Sequence, residues 1–105
     1  MFSRIVTMHL KPNHVAQLTK NVEEQVLPLL RKQEGFKDEI FFTSPDGKEA
    51  IGISFWDRKE SAEAYSQKTY PEVLQAMKNV LDGDPQVKTY DVATSTIYKV
   101  AAATV

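Results

Sequence analysis

The chain has 105 residues, of which 42% are hydrophobic and 26% charged, a profile typical of one folded globular domain. Its 13 basic and 14 acidic residues give a net charge of -1, and no basic stripe favours nucleic-acid binding. The sequence has no cysteine, which excludes disulfides, thiolate metal ligands and a cysteine nucleophile.

Hydropathy sets expectations for location and domain organisation. No apolar run approaches the ~20 residues of a membrane span, and a strand pattern starts at the first residues with no signal peptide before it. We therefore expect a single domain over residues 1–105, located in the cytoplasm and without a membrane partner.

The first half of the chain predicts a strand, a helix and a second strand. Residues 2–10 alternate with a period of two, as a strand does. Apolar side chains then recur at helical spacing from Val15 to Leu29. Pro28 should kink the last turn, because proline lacks a backbone N–H, and Gly35 should end the helix. Residues 36–43 read as the second strand.

The second half predicts a hairpin, a broken helix and a last strand. A type I turn at residues 44–47 leads into a strand over 48–56. Asp57 is the expected helix cap, with Glu60 as its capping-box partner. Two helical pieces, 58–67 and 70–81, break near Thr69, and residues 87–96 form the last strand. This β-α-β-β-α-β order predicts an α+β, ferredoxin-like fold with an antiparallel sheet.

The third strand has two contrasting faces. Ile51, Ile53 and Phe55 are bulky and apolar, so we expect them to pack on the helices. The other face carries small residues beside Trp56, which predicts a pocket or a close backbone contact. We expect that face to share the uncovered side of the sheet with Thr7 and His9.

An apolar sheet face of this kind needs a cover. The simplest cover is the same sheet of a second copy, which would give a homodimer with facing sheets. The apolar tail, residues 97–105, is expected to extend strand four onto the partner subunit, and a partly frayed end is the alternative. Arg4 is expected to form an ion pair with a carboxylate such as Asp91 or Glu39, and anion binding is the less favoured alternative.

Five segments together resemble a known family. They are residues 4–12, 26–36, 51–57 (IGISFWD), 63–65 (EAY) and 85–92. As a set they resemble the antibiotic biosynthesis monooxygenase-like family of the dimeric α+β barrel superfamily, along nearly the whole chain. The resemblance implies a dimeric α+β barrel, in which two ferredoxin-like sheets face each other.

The resemblance also implies a candidate activity. Some members oxidise aromatic molecules with O2 and no metal or organic cofactor, the substrate's own enolate or phenolate supplying the electrons. A small aromatic or quinol-type molecule would be the substrate here. The catalytic candidates are His9, for proton removal, and Tyr65, as a hydroxyl donor; the candidate substrate-binding residues are Trp56, Thr7, Ser54 and Phe42.

Other interpretations remain open at this point. Trp56 could simply plug the barrel, and either Phe41 or Phe42 could be the aromatic residue that faces the pocket. The protein could be a non-catalytic small-molecule binder or a stress-related dimer with a filled interior. Haem binding or degradation is a third reading, weakened because no histidine lies within residues 57–81, where that branch of the superfamily has its iron ligand.

Overall fold

A computed structural model describes residues 1–100, and its elements follow the predicted order. The strands are Phe2–His9 (β1), Phe36–Thr43 (β2), Glu49–Trp56 (β3) and Gln86–Asp91 (β4). The helices are Val15–Asn21 (α1), Leu27–Arg31 (α2), Lys59–Lys68 (α3) and Tyr70–Met77 (α4), with a π-helical turn at Val22–Val26 between the first two. None of the helices in residues 1–100 is long and apolar enough to cross a membrane.

The strands form one antiparallel sheet in the order β2-β3-β1-β4. The β2–β3 turn is closed by a 2.9 Å hydrogen bond from the Gly47 N–H to the Ser44 carbonyl. Gly47 has a φ of 73°, a value that glycine adopts without steric cost. The predicted α+β, ferredoxin-like βαββαβ fold is confirmed.

Pro28 explains the π-helical turn. In a regular α-helix the proline ring would clash with the carbonyl of Glu24, four residues earlier. The backbone widens at this point, and the Leu27 N–H donates to the carbonyl of Val22, five residues back. Val22 and Val26 keep their side chains in the core. The predicted distortion near Pro28 therefore takes the form of a widened turn that still faces the sheet.

The two faces of β3 are reversed relative to the sequence-based prediction. Trp56 pairs with Phe2, Ser54 with Arg4 and Gly52 with Val6. Directly paired residues project from the same side of a sheet, so Trp56, Ser54 and Gly52 face the helices. Period-two alternation separates the two faces but does not say which one meets the helices. The prediction that Ile51, Ile53 and Phe55 pack on the helices is therefore wrong.

Other boundaries also differ from the predictions. Helix α4 ends at Met77, although Val80 and Leu81 remain buried, and strand β4 ends at Asp91. The expected cap is wrong as well, because Arg58 takes the N-cap position of α3 and no side chain in the described part of the sequence caps that helix.

The described part of the C-terminal tail contacts its own subunit. The Tyr98 ring lies 5.2 Å from the Phe55 ring, and the Tyr98 hydroxyl donates a hydrogen bond to Asp38. The rest of the predicted interfacial segment, residues 101–105, lies outside the described residues.

Candidate functional site

A cavity of about 50 Å³ lies between the sheet and the helices. Its walls come from β1, β2, β3, the π-helical turn and helices α2, α3 and α4, and they are mostly apolar. The polar contributors are Arg4, Glu39, Ser54, Tyr65 and Tyr70; the apolar ones include Val6, Met8, Phe41, Gly52 and Met77.

The small residues of β3 create this space. Gly52 lies on the cavity wall, and a Cβ atom there would meet Phe41 at 3.7 Å and Met8 at 3.8 Å, which are ordinary contact distances. A side chain would therefore fit, but it would project into the space between sheet and helices. The expectation of a pocket beside the small residues of β3 agrees with this geometry, although the pocket lies on the helix side of the sheet.

Trp56 supports the cavity from behind. Its side chain is fully buried, and its Nε1–H donates a 2.9 Å hydrogen bond to the Ser54 hydroxyl. The ring lies 5.0 Å from that of Tyr65 and 5.6 Å from that of Phe36, centroid to centroid. Tyr65 stands on the cavity wall in front of it. Trp56 therefore packs in the core and holds Tyr65 in place.

Arg4 brings a buried positive charge to the cavity. Its side chain is only 3% exposed. The guanidinium carbon lies 3.9 Å from the Tyr70 ring centroid and 5.3 Å from that of Tyr65, which are cation–π distances. The ion pairs within residues 1–100 are His9–Glu49 and Lys59–Glu63. The expected ion pair of Arg4 with Asp91 or Glu39 is therefore wrong.

The ionisable groups of the cavity are perturbed by burial. Burial raises the pKa of Tyr65 to about 12, against the opposing positive charge of Arg4. It also raises the pKa of Tyr70, although the positive charge and the N–H groups of the nearby Arg4 oppose that shift. The guanidinium lies over the Tyr70 ring, and no group among residues 1–100 forms a hydrogen bond of good geometry with the hydroxyl. At neutral pH both phenols are thus protonated and able to donate. Burial raises the pKa of the Glu39 carboxyl as well, and Arg31 partly opposes that shift.

The structure divides the six predicted site residues between the two faces of the sheet. Tyr65 and Ser54 line the cavity, and Trp56 packs directly behind Tyr65. The other three, Thr7, His9 and Phe42, lie on the opposite face. The predicted grouping of His9 and Thr7 with Trp56 is therefore wrong, because the register of β1 against β3 puts them on different sides.

His9 has another partner on that side. Its Nδ1 lies 3.7 Å from a carboxylate oxygen of Glu49, its cross-strand neighbour, and both side chains are more than half exposed. Phe42 is 49% exposed, whereas Phe41 lines the cavity. Phe41 is thus the phenylalanine of the pair that faces the pocket.

Sequence reasoning did not place three polar residues, Arg4, Glu39 and Tyr70, in the pocket that the structure shows them to line. Arg4 did carry a signal, because it alternates with Phe2 and Val6 on the face expected to meet the helices. A charged side chain at such a position must find a special environment. Glu39 and Tyr70 offered no comparable signal, since each sits in a pattern that also suits a surface residue.

The face of the sheet turned away from the helices, here called the open face, is rich in apolar side chains. Ile40, Phe42 and Tyr90 are 38%, 49% and 51% exposed there. Ile5, Ile51, Ile53 and Phe55 occupy its centre and are partly buried. Contiguous apolar surface of this kind marks an interaction site in soluble proteins.

Comparison with solved structures supports the fold assignment. A monooxygenase from Streptomyces coelicolor, ActVA-Orf6, solved in complex with nanaomycin D, superposes with a TM-score of 0.77 at 17% identity, covering 93% of this chain and 92% of that one. A protein of unknown function from Nitrosomonas europaea gives 0.75 at 16% identity, over 97% and 95%. A candidate antibiotic biosynthesis monooxygenase from Bordetella bronchiseptica gives 0.75 at 14% identity, over 89% and 97%.

Similarity at this level of identity establishes a shared fold. No protein-family model matches the sequence, and no curated protein matches it. The predicted resemblance to antibiotic biosynthesis monooxygenases is thus supported at the level of three-dimensional structure. Chemistry must be argued from the cavity itself, because one fold hosts many reactions.

Proposed function

We propose that the protein is a monooxygenase of the antibiotic biosynthesis type, which oxidises a small phenol- or quinol-type molecule with O2 in the cavity between sheet and helices. The observation that carries this proposal is the composition of the cavity: aromatic and apolar walls with a few convergent polar groups. The fold shared with the Streptomyces coelicolor monooxygenase solved with nanaomycin D supports it.

The reaction needs no electron donor besides the substrate. Removing the phenolic proton gives an electron-rich phenolate, which reacts with O2 to form a C–O bond at a ring carbon. Loss of the ring proton then accompanies cleavage of the O–O bond, and the second oxygen atom leaves as water. A phenol and O2 thus give a quinone and water, and no metal or organic cofactor enters the scheme. An apolar cavity also suits O2 as a reactant.

Glu39 is the candidate general base. It lies on the cavity wall, and burial raises its pKa, which brings a carboxylate closer to the range where a base works near neutral pH. His9, the base suggested by the sequence, lies on the open face and cannot reach a molecule bound in this cavity of its own subunit.

Tyr65 is the candidate hydrogen-bond donor. With a pKa of about 12, its phenol stays protonated and can donate to a substrate oxygen as negative charge develops there. Ser54 lies on the same wall but already accepts from the Trp56 indole. The main role of its hydroxyl is therefore to hold the Trp56 indole against Tyr65, and not to bind a ligand.

Binding of an aromatic ring requires the cavity to enlarge. An apolar cavity that holds benzene measures about 150 Å³, roughly three times the 50 Å³ found here. A single residue, Thr69, separates helix α3 from helix α4, and Tyr70 is the first residue of α4. We propose that movement at Thr69 swings Tyr70 outwards and admits the substrate.

The open face is proposed as a homodimer interface with the sheet of a second copy. Its apolar side chains, among them Phe42 and Ile40, would lose contact with water there. Of the six residues suggested by the sequence, three would then lie in the interface: Thr7, His9 and Phe42. The other three line or support the cavity: Tyr65, Ser54 and Trp56.

A non-catalytic dimer is the second candidate function. The small volume of the cavity favours it, because a filled interior would serve stability alone or would bind a ligand without turning it over. Both candidate functions share the fold and the proposed dimer, so the observation that distinguishes them is whether the protein converts a substrate to product.

The decisive experiment is aerobic incubation with a panel of phenols, naphthols and quinols, including isotopically labelled O2 and a metal chelator. Label in a quinone product, unaffected by the chelator, supports the monooxygenase. Glu39→Gln should lower kcat about 100-fold, whereas the matched control Glu49→Gln on the open face should not. Binding without labelled product across the panel would favour the non-catalytic dimer.

A further inference from the structure

Two buried polar groups of the cavity are incompletely partnered among residues 1–100: Arg4 has no carboxylate partner, and the Tyr70 hydroxyl has no hydrogen bond of good geometry. Arg4 is 3% exposed and Tyr70 is 9% exposed. The guanidinium group of an arginine stays positively charged inside a protein. Burying such a charge without a counter-charge is costly, and a buried hydroxyl with an unused donor adds to that cost.

The tyrosine rings compensate only part of the cost of burying the Arg4 charge. The face of Tyr70, 3.9 Å from the guanidinium carbon, offers Arg4 a cation–π contact. That contact leaves the guanidinium N–H groups, which lie in the plane of the group, available as hydrogen-bond donors. No carboxylate of residues 1–100 forms an ion pair with them. Glu39 lies on the same cavity, but the positive charge that acts on its pKa is that of Arg31.

We propose that Arg4 and Tyr70 form an anion-binding subsite, so that the ligand of this cavity is an aromatic molecule carrying an anionic oxygen, either a carboxylate or an ionised phenol. The apolar wall formed by residues such as Phe41 and Val6 holds the ring. Arg4 supplies a fixed positive charge and a planar pair of donors, which suits a two-oxygen anion. The Tyr70 hydroxyl donates a further hydrogen bond.

This inference deepens the proposed function, on which it rests for the aromatic part of the ligand. It also narrows the substrate class. A neutral quinone or hydrocarbon would leave the positive charge uncompensated, and a cation would be repelled by it. A phenol gains from Arg4 as it ionises, because the guanidinium stabilises the phenolate that reacts with O2.

The test is equilibrium binding in oxygen-free buffer, measured by titration calorimetry or NMR, so that no turnover contributes. Benzoate is compared with benzamide, its neutral isostere, and 4-nitrophenolate with nitrobenzene. The wild-type protein should bind at least one anion about 10- to 100-fold more tightly than its neutral counterpart, the range of a charge-assisted hydrogen-bonded contact. The tighter of the two anions identifies the carboxylate or the phenolate as the preferred group.

Variants assign the preference to named residues. Arg4→Met should abolish it while leaving the affinity for the neutral compounds unchanged, and Tyr70→Phe should reduce it several-fold. Arg58→Met, at the exposed N-cap of α3, is the matched control and should keep the full preference. If Arg4→Met fails to fold, Arg4→Lys keeps the charge but not the planar donors, and it should retain only part of the preference.

The outcomes separate this inference from the proposed function. Equal affinity for charged and neutral partners in the wild type, an unchanged preference in Arg4→Met, or no binding of any of the four compounds would overturn the subsite. Arg4-dependent anion binding without oxidation of any phenol would uphold the subsite and contradict the monooxygenase. Oxidation of phenols by a protein with no anion preference would uphold the monooxygenase and contradict the subsite.

Discussion

Replacing Trp56 with alanine distinguishes a core residue from a removable pocket wall. Trp56 is fully buried and contacts Tyr65 and Phe36. A tryptophan buries about 150–250 Å², which at ~25 cal/mol per Å² corresponds to roughly 4–6 kcal/mol. Truncations of buried aromatic residues to alanine typically cost about 3–5 kcal/mol. We expect a loss in this range, a large share of the ~5–15 kcal/mol that stabilises a domain.

The assay is urea unfolding followed by far-ultraviolet circular dichroism at one fixed protein concentration. Fluorescence is unsuitable, because Trp56 is the single tryptophan of the chain. With a slope of ~1.5 kcal/mol per M, the expected loss lowers the midpoint by roughly 2–3 M. Equal slopes for the variant and the wild type are the check that both unfold in a two-state manner.

Trp56→Phe is the matched control. It keeps an aromatic ring against Tyr65 but loses the 2.9 Å hydrogen bond from the indole to Ser54. We expect a loss of about 1–2 kcal/mol, mainly from that bond and the smaller ring. A loss below about 1 kcal/mol for Trp56→Ala would refute the reasoning, since it would mean that the side chain is not packed in the core.

Three further predictions concern the cavity, its tyrosines and the open face. Gly52→Ala should narrow the cavity and weaken ligand binding ~10-fold, with an unfolding midpoint close to wild type, because the new Cβ makes ordinary contacts. Tyr65 has a folded pKa of about 12, above the ~10 of an unfolded tyrosine. Stability from the neutral phenol is therefore fully present below pH ~10 and is lost as the pH rises towards 12, a change of roughly 2–3 kcal/mol. The free energy of unfolding of Tyr65→Phe, measured against pH, should fall less at alkaline pH than that of the wild type. An identical pH profile would contradict the assignment. Phe42→Asp should convert the proposed dimer to monomers in sedimentation experiments, whereas Lys48→Asp in the β2–β3 turn should not; an unchanged dimer would show that the subunits meet elsewhere.

The sequence alone determined the order and type of the elements. Alternation in β1, helical spacing from Val15 to Leu29 and the turn ending at Gly47 are local patterns, so each could be read from neighbouring residues. Even the distortion near Pro28 was predictable, because its cause is the covalent structure of one residue. The small residues of β3 predicted either a close backbone contact or a pocket beside them, and the structure has a cavity there.

Only the tertiary structure decided which residues share that cavity. The face that a strand turns towards the helices depends on its register with a strand distant in sequence, and a reversed choice moves every side chain to the other side. His9 and Trp56 were separated in this way, and Arg4 was brought next to Tyr70. The environment of Arg4 depends on helix α4, more than 60 residues further along the chain. Its burial without a carboxylate partner among residues 1–100 is therefore a property of packing, which no local pattern in the sequence encodes.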